Sequence, residues 1–235
     1  MCTVSFVFSN GKAILTHNRD EKVARPSATE PQEYTVNNKK IYFPKDQKAG
    51  GTWYAVAENG TTLVLLNGAD EKHQLKSSYR KSRGLIVLDL ISADSPIQEW
   101  NSIDLSEIEP FTIVLFQEGK LYQLRWNEIE KSTLNLDVNQ NHIWSSSTLY
   151  PKEIREQRVN LFQDFINSNE ISPEKLFQFH RYGNSNDVEN GLIINRNDEM
   201  KTLSITQTII EKNKVVLSYH DLQNQQDFTN TITLS

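Results

Sequence analysis

Cysteine occurs once in these 235 residues, at position 2. A single thiol excludes an internal disulfide framework and any zinc site built on several thiolates. Long apolar runs are missing too: none reaches the roughly 18 residues a spanning helix needs, so no membrane span is expected. Excess positive charge is absent, with 25 Lys and Arg against 30 Asp and Glu and a net charge of −5. No basic stripe breaks that balance, which argues against nucleic acid as a partner. The five histidines show no metal-ligand spacing such as His-Glu-x-x-His, so no metal site is expected, and nothing calls for an organic cofactor. Gly50-Gly51-Thr52-Trp53 lacks the Gly-Lys-Ser/Thr continuation of a phosphate loop and reads instead as a backbone turn entering a strand. Ser5, Ser9, Asn10 and Lys12 interrupt the first apolar stretch, so no leader pattern is read and a cytoplasmic protein is expected. Linkers rich in Gly and Ser and low-complexity blocks are also lacking, and the expectation is a single domain over residues 1–235.

What is present is alternation punctuated by two-residue turns. Thr3–Ser9 and Lys12–Asn18 flank Asn10-Gly11; Thr52–Glu58 and Thr61–Asn67 flank Asn59-Gly60; Phe111–Gln117 and Lys120–Trp126 flank Glu118-Gly119. Such pairs favour positive φ and match strand twist, which predicts three tight hairpins. Further strands are expected at Asn141–Ser145, Leu192–Asn195, Thr202–Ile210 and Lys214–Tyr219. Helices are predicted over Ser82–Ser92, from Pro151 to about Ser168 with an apolar stripe, and from Ser172-Pro173 with Ser172 as N-cap. Glu21–Gln47 carries three prolines and reads mostly as loop with one short strand. The fold class is α+β, antiparallel sheets with helices on their outer faces.

The first turn also sets a register. With Asn10 and Gly11 as turn residues, Cys2 lies opposite Arg19, Val4 opposite His17, Phe6 opposite Leu15 and Phe8 opposite Ala13. Opposed side chains share a face, so an apolar face ends in His17, Cys2 and Arg19. A guanidinium beside a thiol favours the thiolate and predicts a lowered thiol pKa. Met1 precedes a small residue, and its removal would give Cys2 a free α-amine able to act as base for its own side chain. Arg19 would alternatively hold a substrate carboxylate, and His17 would assist as a base or line the pocket. In the second hairpin the same reasoning sets Asn67 opposite Thr52. Trp53 is read as core or pocket wall. Arg83 caps the helix at Ser82–Ser92 or reaches a ligand anion.

The N-terminal MCT, NRDE at Asn18–Glu21, Arg25-Pro26, GGTW at Gly50–Trp53 and SRG at Ser82–Gly84 together resemble the NRDE family, also called the transport and Golgi organisation protein 2 family. Through its N-terminal cysteine that family is similar to N-terminal-nucleophile hydrolases of the choloylglycine hydrolase and penicillin V acylase type. The resemblance implies a four-layer αββα sandwich of two antiparallel sheets flanked by helices. It implies Cys2 as nucleophile after loss of Met1, Arg19 beside it, Asp20 accepting a hydrogen bond from the α-amine, and Asn67 as an oxyanion donor. Strict alternation, however, points Asp20 and Arg19 to opposite faces. Where those hydrolases carry a second asparagine this chain reads WSSSTLYP, with Ser146 in its place, and Lys201 stands for a late arginine. The implied activity is that of an N-terminal-cysteine hydrolase cleaving a non-peptide C–N (amide) bond of a small-molecule substrate through a thioester. The alternative is a non-catalytic haem or lipid binding or trafficking protein on the same fold.

Overall fold

The computed structural model describes residues 2–234. In chain order the elements are β1 (Cys2–Ser9), β2 (Lys12–Lys22), β3 (Gln32–Val36), β4 (Lys39–Phe43), β5 (Tyr54–Ala57), β6 (Thr62–Asn67), α1 (Arg83–Ser92), α2 (Pro96–Ser102), β7 (Phe111–Gln117) and β8 (Lys120–Trp126). There follow β9 (Lys131–Leu136), β10 (His142–Ser145), α3 (Lys152–Ser168), α4 (Pro173–Tyr182), β11 (Asn195–Arg196), β12 (Met200–Ile210), β13 (Lys214–Asp221) and β14 (Gln226–Thr233). This is an α+β chain with two sheets, as the alternation and helical stripes predict. It divides into two compact units, one holding the residues up to Arg25 and Asn139–Ile232, the other Pro26–Val138 with the residues from Thr233 onward.

The first unit carries a sheet in the order β10-β1-β2-β12-β13-β14, with β11 on β12. Its central hairpin has the register the turn dictates: Cys2↔Arg19, Val4↔His17, Phe6↔Leu15, Phe8↔Ala13 and Ser9↔Lys12. Asn10 at φ 51° and Gly11 at φ 73° form the turn, the left-handed pair that matches strand twist. Helices α3 and α4 cover one face. Val7 and Ile14 of the sheet meet Phe162, Leu176, Phe179 and Leu192, with Leu161, Phe165 and Ile166 packed alongside. Of the α3 stripe read from the sequence, Phe162 is buried and Leu161, Phe165, Ile166 and Ile154 are half-buried. Ser172 caps α4 by accepting from the Lys175 N–H. Of the strand expected at Leu192–Asn195, only Asn195 joins β11; Leu192 and Ile194 are buried outside any strand.

The second unit is a meander in strict chain order, β3-β4-β5-β6-β7-β8-β9, antiparallel throughout. Helix α1 packs on β5 and β6 through Ile86, Val87, Leu90 and Ile91. The hairpin around Glu118-Gly119 has the predicted ends and register, Gln117↔Lys120. The hairpin around Asn59-Gly60 does not. Its pairs are Tyr54↔Val64, Ala55↔Leu63 and Val56↔Thr62, one residue out of the expected register. The Ala57 N–H donates to Thr61 O and the Gly60 N–H to Ala57 O, with Gly60 at φ 83°. The loop thus spans three residues, a turn closed by a left-handed glycine, and Asn67 does not pair with Thr52. Where mostly loop was expected over Glu21–Gln47, β3 and β4 form a hairpin through Asn37 and Asn38, both at positive φ.

Two of the family-like motifs meet inside this unit. The Thr52 N–H donates to Gly84 O at 3.1 Å. A Cβ on Gly51 would lie 2.3 Å from the Gly84 carbonyl carbon, so GGTW and SRG are a backbone-on-backbone contact at the start of α1. Gly50-Gly51 closes an Asp46 turn, with Asp46 Oδ1 accepting from Lys48 and Ala49 N–H groups, in keeping with a turn entering a strand.

Candidate active site

In the first unit β2 places the four residues of NRDE alternately on the two faces of its sheet. Asn18 and Asp20 face the helices; Arg19 and Glu21 share the other face with Cys2 and His17. No kink interrupts β2, so Arg19 and Asp20 do point apart.

Asn18 is fully buried and pins α4 and the segment after it. Its Nδ2 donates to His180 O at 2.9 Å and to Leu192 O at 2.7 Å, while Oδ1 lies 2.6 Å from His180 Nδ1. Ser5 Oγ lies 2.7 Å from His180 Nε2. An oxygen at Nδ1 requires the proton there, so Nε2 accepts from the Ser5 hydroxyl. Burial, followed by the Arg158 charge, lowers the His180 pKa to about 3. Here is a histidine satisfied in a core.

Asp20 is also fully buried. Its Oδ2 accepts from Tyr150 Oη at 2.6 Å and its Oδ1 from Thr202 Oγ1 at 2.7 Å. Burial raises its pKa, against the pull of Arg158 and of these two donors. Burial likewise holds the Tyr150 phenol well above its ordinary value, so it stays a donor. The Tyr150 ring lies under the Arg158 guanidinium, 3.6 Å away, with Arg196 at 5.4 Å. Arg158 itself donates to Thr3 Oγ1, Ser145 Oγ, Asn190 O and Gly191 O. Tyr150, Arg158, Thr202 and His180 were not singled out from the sequence. The only local hint was the Tyr150-Pro151 step into a helix.

On the opposite face, Cys2 is 2% exposed and Arg19 4%. The thiol pKa is raised, with burial the leading cause and Arg19 opposing it. This corrects the expected lowering: desolvation outweighs the guanidinium in this state. Buried His17 has its pKa pushed well below the ordinary value, first by burial, and is a neutral imidazole. Arg19 Nη2 stands 3.9 Å from Glu21 Oε2, and Arg25 Nε 3.8 Å from the same oxygen. Ser146 comes beside Cys2: its N–H donates to Cys2 O at 2.9 Å, and its hydroxyl lies 2.9 Å from Thr148 Oγ1. Across the sheet, Ser204 pairs with Arg19 and Thr206 with His17. Between Thr202 and Ser204 the register shifts at a bulge, so these two residues face opposite sides although two apart.

The other expected residues stand elsewhere. Lys201, opposite Glu21 in the ladder, forms an ion pair with Asp198 at 2.6 Å. In the second unit Asn67 ends β6 opposite Phe111. Trp53 is buried and its carbonyl accepts from Leu65 N–H. Arg83 opens α1, pairs with Glu109 at 2.9 Å and donates to Pro110 O at 3.1 Å. Removal of Met1 lies outside the described residues. A cavity of about 570 Å³ opens at the ends of β2 and β12, walled by Lys22, Val23, Ala24, Asp198, Glu199 and Met200. No helix is long and apolar enough to cross a membrane among the described residues.

A thiol, a guanidinium and a neutral imidazole thus share one buried sheet face, backed by a carboxylate network under two helices. Solved structures share the fold. It matches an N-acylethanolamine-hydrolyzing acid amidase ortholog of Caenorhabditis elegans at a TM-score of 0.62 and 9% identity, over 88% of this chain and 92% of that one. It also matches a mutant and a variant of the conjugated bile acid hydrolase of Clostridium perfringens, each at 0.55 and 12% identity, over 98% and 92%. These likenesses establish the N-terminal-nucleophile hydrolase fold that the sequence resemblance implies. Among curated proteins no sequence matches the chain. The family model described as Transport and Golgi organisation 2 matches residues 1–227, and the chain belongs to that family.

Proposed function

We propose that this chain is an N-terminal-cysteine hydrolase that cleaves the amide C–N bond of a small molecule. The observation that carries the reading is the Cys2↔Arg19 pair at the end of the first hairpin, on a buried face shared with His17. Loss of Met1 frees the Cys2 amine, which takes the thiol proton as Sγ attacks the acyl carbon. The tetrahedral oxyanion collapses to a thioester as the C–N bond breaks, and the ammonium proton leaves on the departing amine. Water, deprotonated by the same α-amine, attacks the thioester and releases the carboxylic acid, returning the proton to sulfur. Arg19 supports the thiolate against the desolvation that otherwise raises its pKa. Ser146, through its N–H on the Cys2 carbonyl, anchors the strand end that carries the nucleophile. Asp20 is a positioning residue, holding the strand end through Tyr150 and Thr202. The names of the solved enzymes with this fold, an acid amidase and a conjugated bile acid hydrolase, support an amide as the bond cleaved. The chemistry needs a reduced thiol, which suits the cytoplasm.

Intact mass together with a panel of fluorogenic N-acyl amides tests this. A mature mass lacking Met1 is expected, with turnover lost at least about a thousandfold in Cys2→Ala and Cys2→Ser. A retained methionine, or equal turnover in Cys2→Ala, would overturn it. Haemin or lipid binding with no turnover of any amide would replace it by the binding-protein reading.

A further inference from the structure

Two hydroxyls on the thiol face, Ser204 Oγ and Thr206 Oγ1, have no hydrogen-bond partner among the described residues, and both residues are fully buried. Folded proteins leave few such groups, because burial forfeits the hydrogen bonds water supplied. Their place in the sheet is specific. One row across the strands reads Cys2, Arg19, Ser204 and Asp221, and the next Val4, His17, Thr206 and Tyr219. The row beyond, Phe6, Leu15, Thr208 and Leu217, is mostly apolar. The bulge after Thr202 is what turns Ser204 to this side while Thr202 serves Asp20 on the other. Bulges commonly re-aim side chains beside active sites.

We propose that Ser204 and Thr206, together with Arg19, form a subsite for a carboxylate on the acyl part of the substrate. This rests on the hydrolase reading above. Two hydroxyl donors beside a guanidinium match an anionic acceptor better than any donor or apolar group. Strand spacing sets the distance: two strands apart, Cys2 and Ser204 are separated by about 9–10 Å. With contacts of about 3 Å at each end, the carboxylate lies roughly 4 Å from the attacked carbon, a separation of three bonds. The substrate class is therefore the mono-amides of four-carbon dicarboxylic acids. Glu21, 3.9 Å from Arg19, shares the guanidinium with a bound carboxylate, and Asp221, opposite Ser204 on the same face, is turned to the Gln223 and Asn224 N–H groups and the Asn224 amide, from which its carboxylate accepts.

Cys2 is the sole thiol, so maleimide labelling of the mature protein read by intact mass reports on it alone. Maleimidoacetic acid carries a carboxylate at a comparable distance from its attacked carbon; N-ethylmaleimide is its neutral counterpart. The ratio of their rates at Cys2 is expected to exceed that of N-acetylcysteinamide by about tenfold. In the double variant Ser204→Ala with Thr206→Val the ratio should drop five- to tenfold, on the order of one charge-assisted hydrogen bond, with the N-ethylmaleimide rate and the melting temperature held. A ratio equal to that of the small thiol, a ratio unchanged in the double variant, or a fall in its melting temperature overturns the subsite and leaves the hydrolase reading standing. Failure of both reagents to label Cys2 in the folded protein overturns the hydrolase reading itself.

Discussion

Acid should unfold the first unit through His180, well above the pH at which its carboxylates are exhausted. The imidazole is held neutral between Asn18 Oδ1 and Ser5 Oγ, with its pKa lowered to about 3 chiefly by burial. In the unfolded chain the same ring titrates near 6.5. Above that pH neither state binds the proton and the stabilisation is complete. As the pH falls through 6.5 the unfolded chain takes up a proton that the folded ring refuses, so stability drops by about 1.4 kcal/mol per unit until about pH 3. At pH 4 the loss is roughly 3–4 kcal/mol, a large share of a typical 5–15 kcal/mol. His17, also buried neutral, steepens the fall. Asp20, whose pKa is raised, opposes it at the acid end, since the folded state gains its proton first. Urea titrations followed by circular dichroism between about pH 7.5 and 4 measure the slope. His180→Gln keeps a hydrogen-bonding amide but cannot titrate, so its slope should be shallower by one proton. Equal slopes in the two proteins, or a stability flat from pH 7 to 5, would refute the reasoning.

Three further outcomes follow from the packing. Gly51→Ala drives a Cβ to 2.3 Å from the Gly84 carbonyl carbon, backbone against backbone, and should cost about 3 kcal/mol or prevent folding, as read by thermal melting of the purified protein. Asn18→Ala strands the carbonyls of His180 and Leu192 and the His180 N–H in a dry interior; a loss of roughly 3–5 kcal/mol in urea unfolding is expected, and less than 1 kcal/mol would mean the network is dispensable. Tyr150→Phe keeps the ring beneath Arg158 but removes the donor to the Asp20 carboxylate, with an expected cost of about 1.5–3 kcal/mol, checked by urea unfolding and by an upward shift of the Asp20 titration in carboxyl-labelled NMR spectra.

Which parts of this were legible beforehand follows the range of the forces involved. Asn10-Gly11 and Glu118-Gly119 are local turns, and each fixed its hairpin register to the residue. Asn59-Gly60 looked the same but closes a three-residue loop with Gly60 at positive φ, so Asn67 moved one place from its expected partner. β9 and β14, for which no strand was expected, and β3, one of two strands where a single short one was expected, are edge strands with mostly exposed or half-buried side chains. Without a buried face a strand has no apolar period to read. The pairing of β3 with β4 was not expected because their turn, Asn37-Asn38, lacks the glycine that usually marks one.

The site divides along the same line. Sequence alone indicated that Cys2, Arg19 and His17 share a face, because Asn10-Gly11 closes a two-residue turn and side chains alternate with a period of two. It indicated the Ser172 cap of α4 and the α+β class for the same local reasons. Only the tertiary structure decided what lies on the two sides of that hairpin. Asp20 meets Tyr150 and Thr202 across 130 and 182 positions, and Asn18 meets His180 across 162. One bulge in β12 sends Ser204 toward Arg19 instead of toward the helices. The sign of the Cys2 pKa shift was likewise out of reach, since it depends on burial, which every packed neighbour contributes and no short stretch of chain encodes.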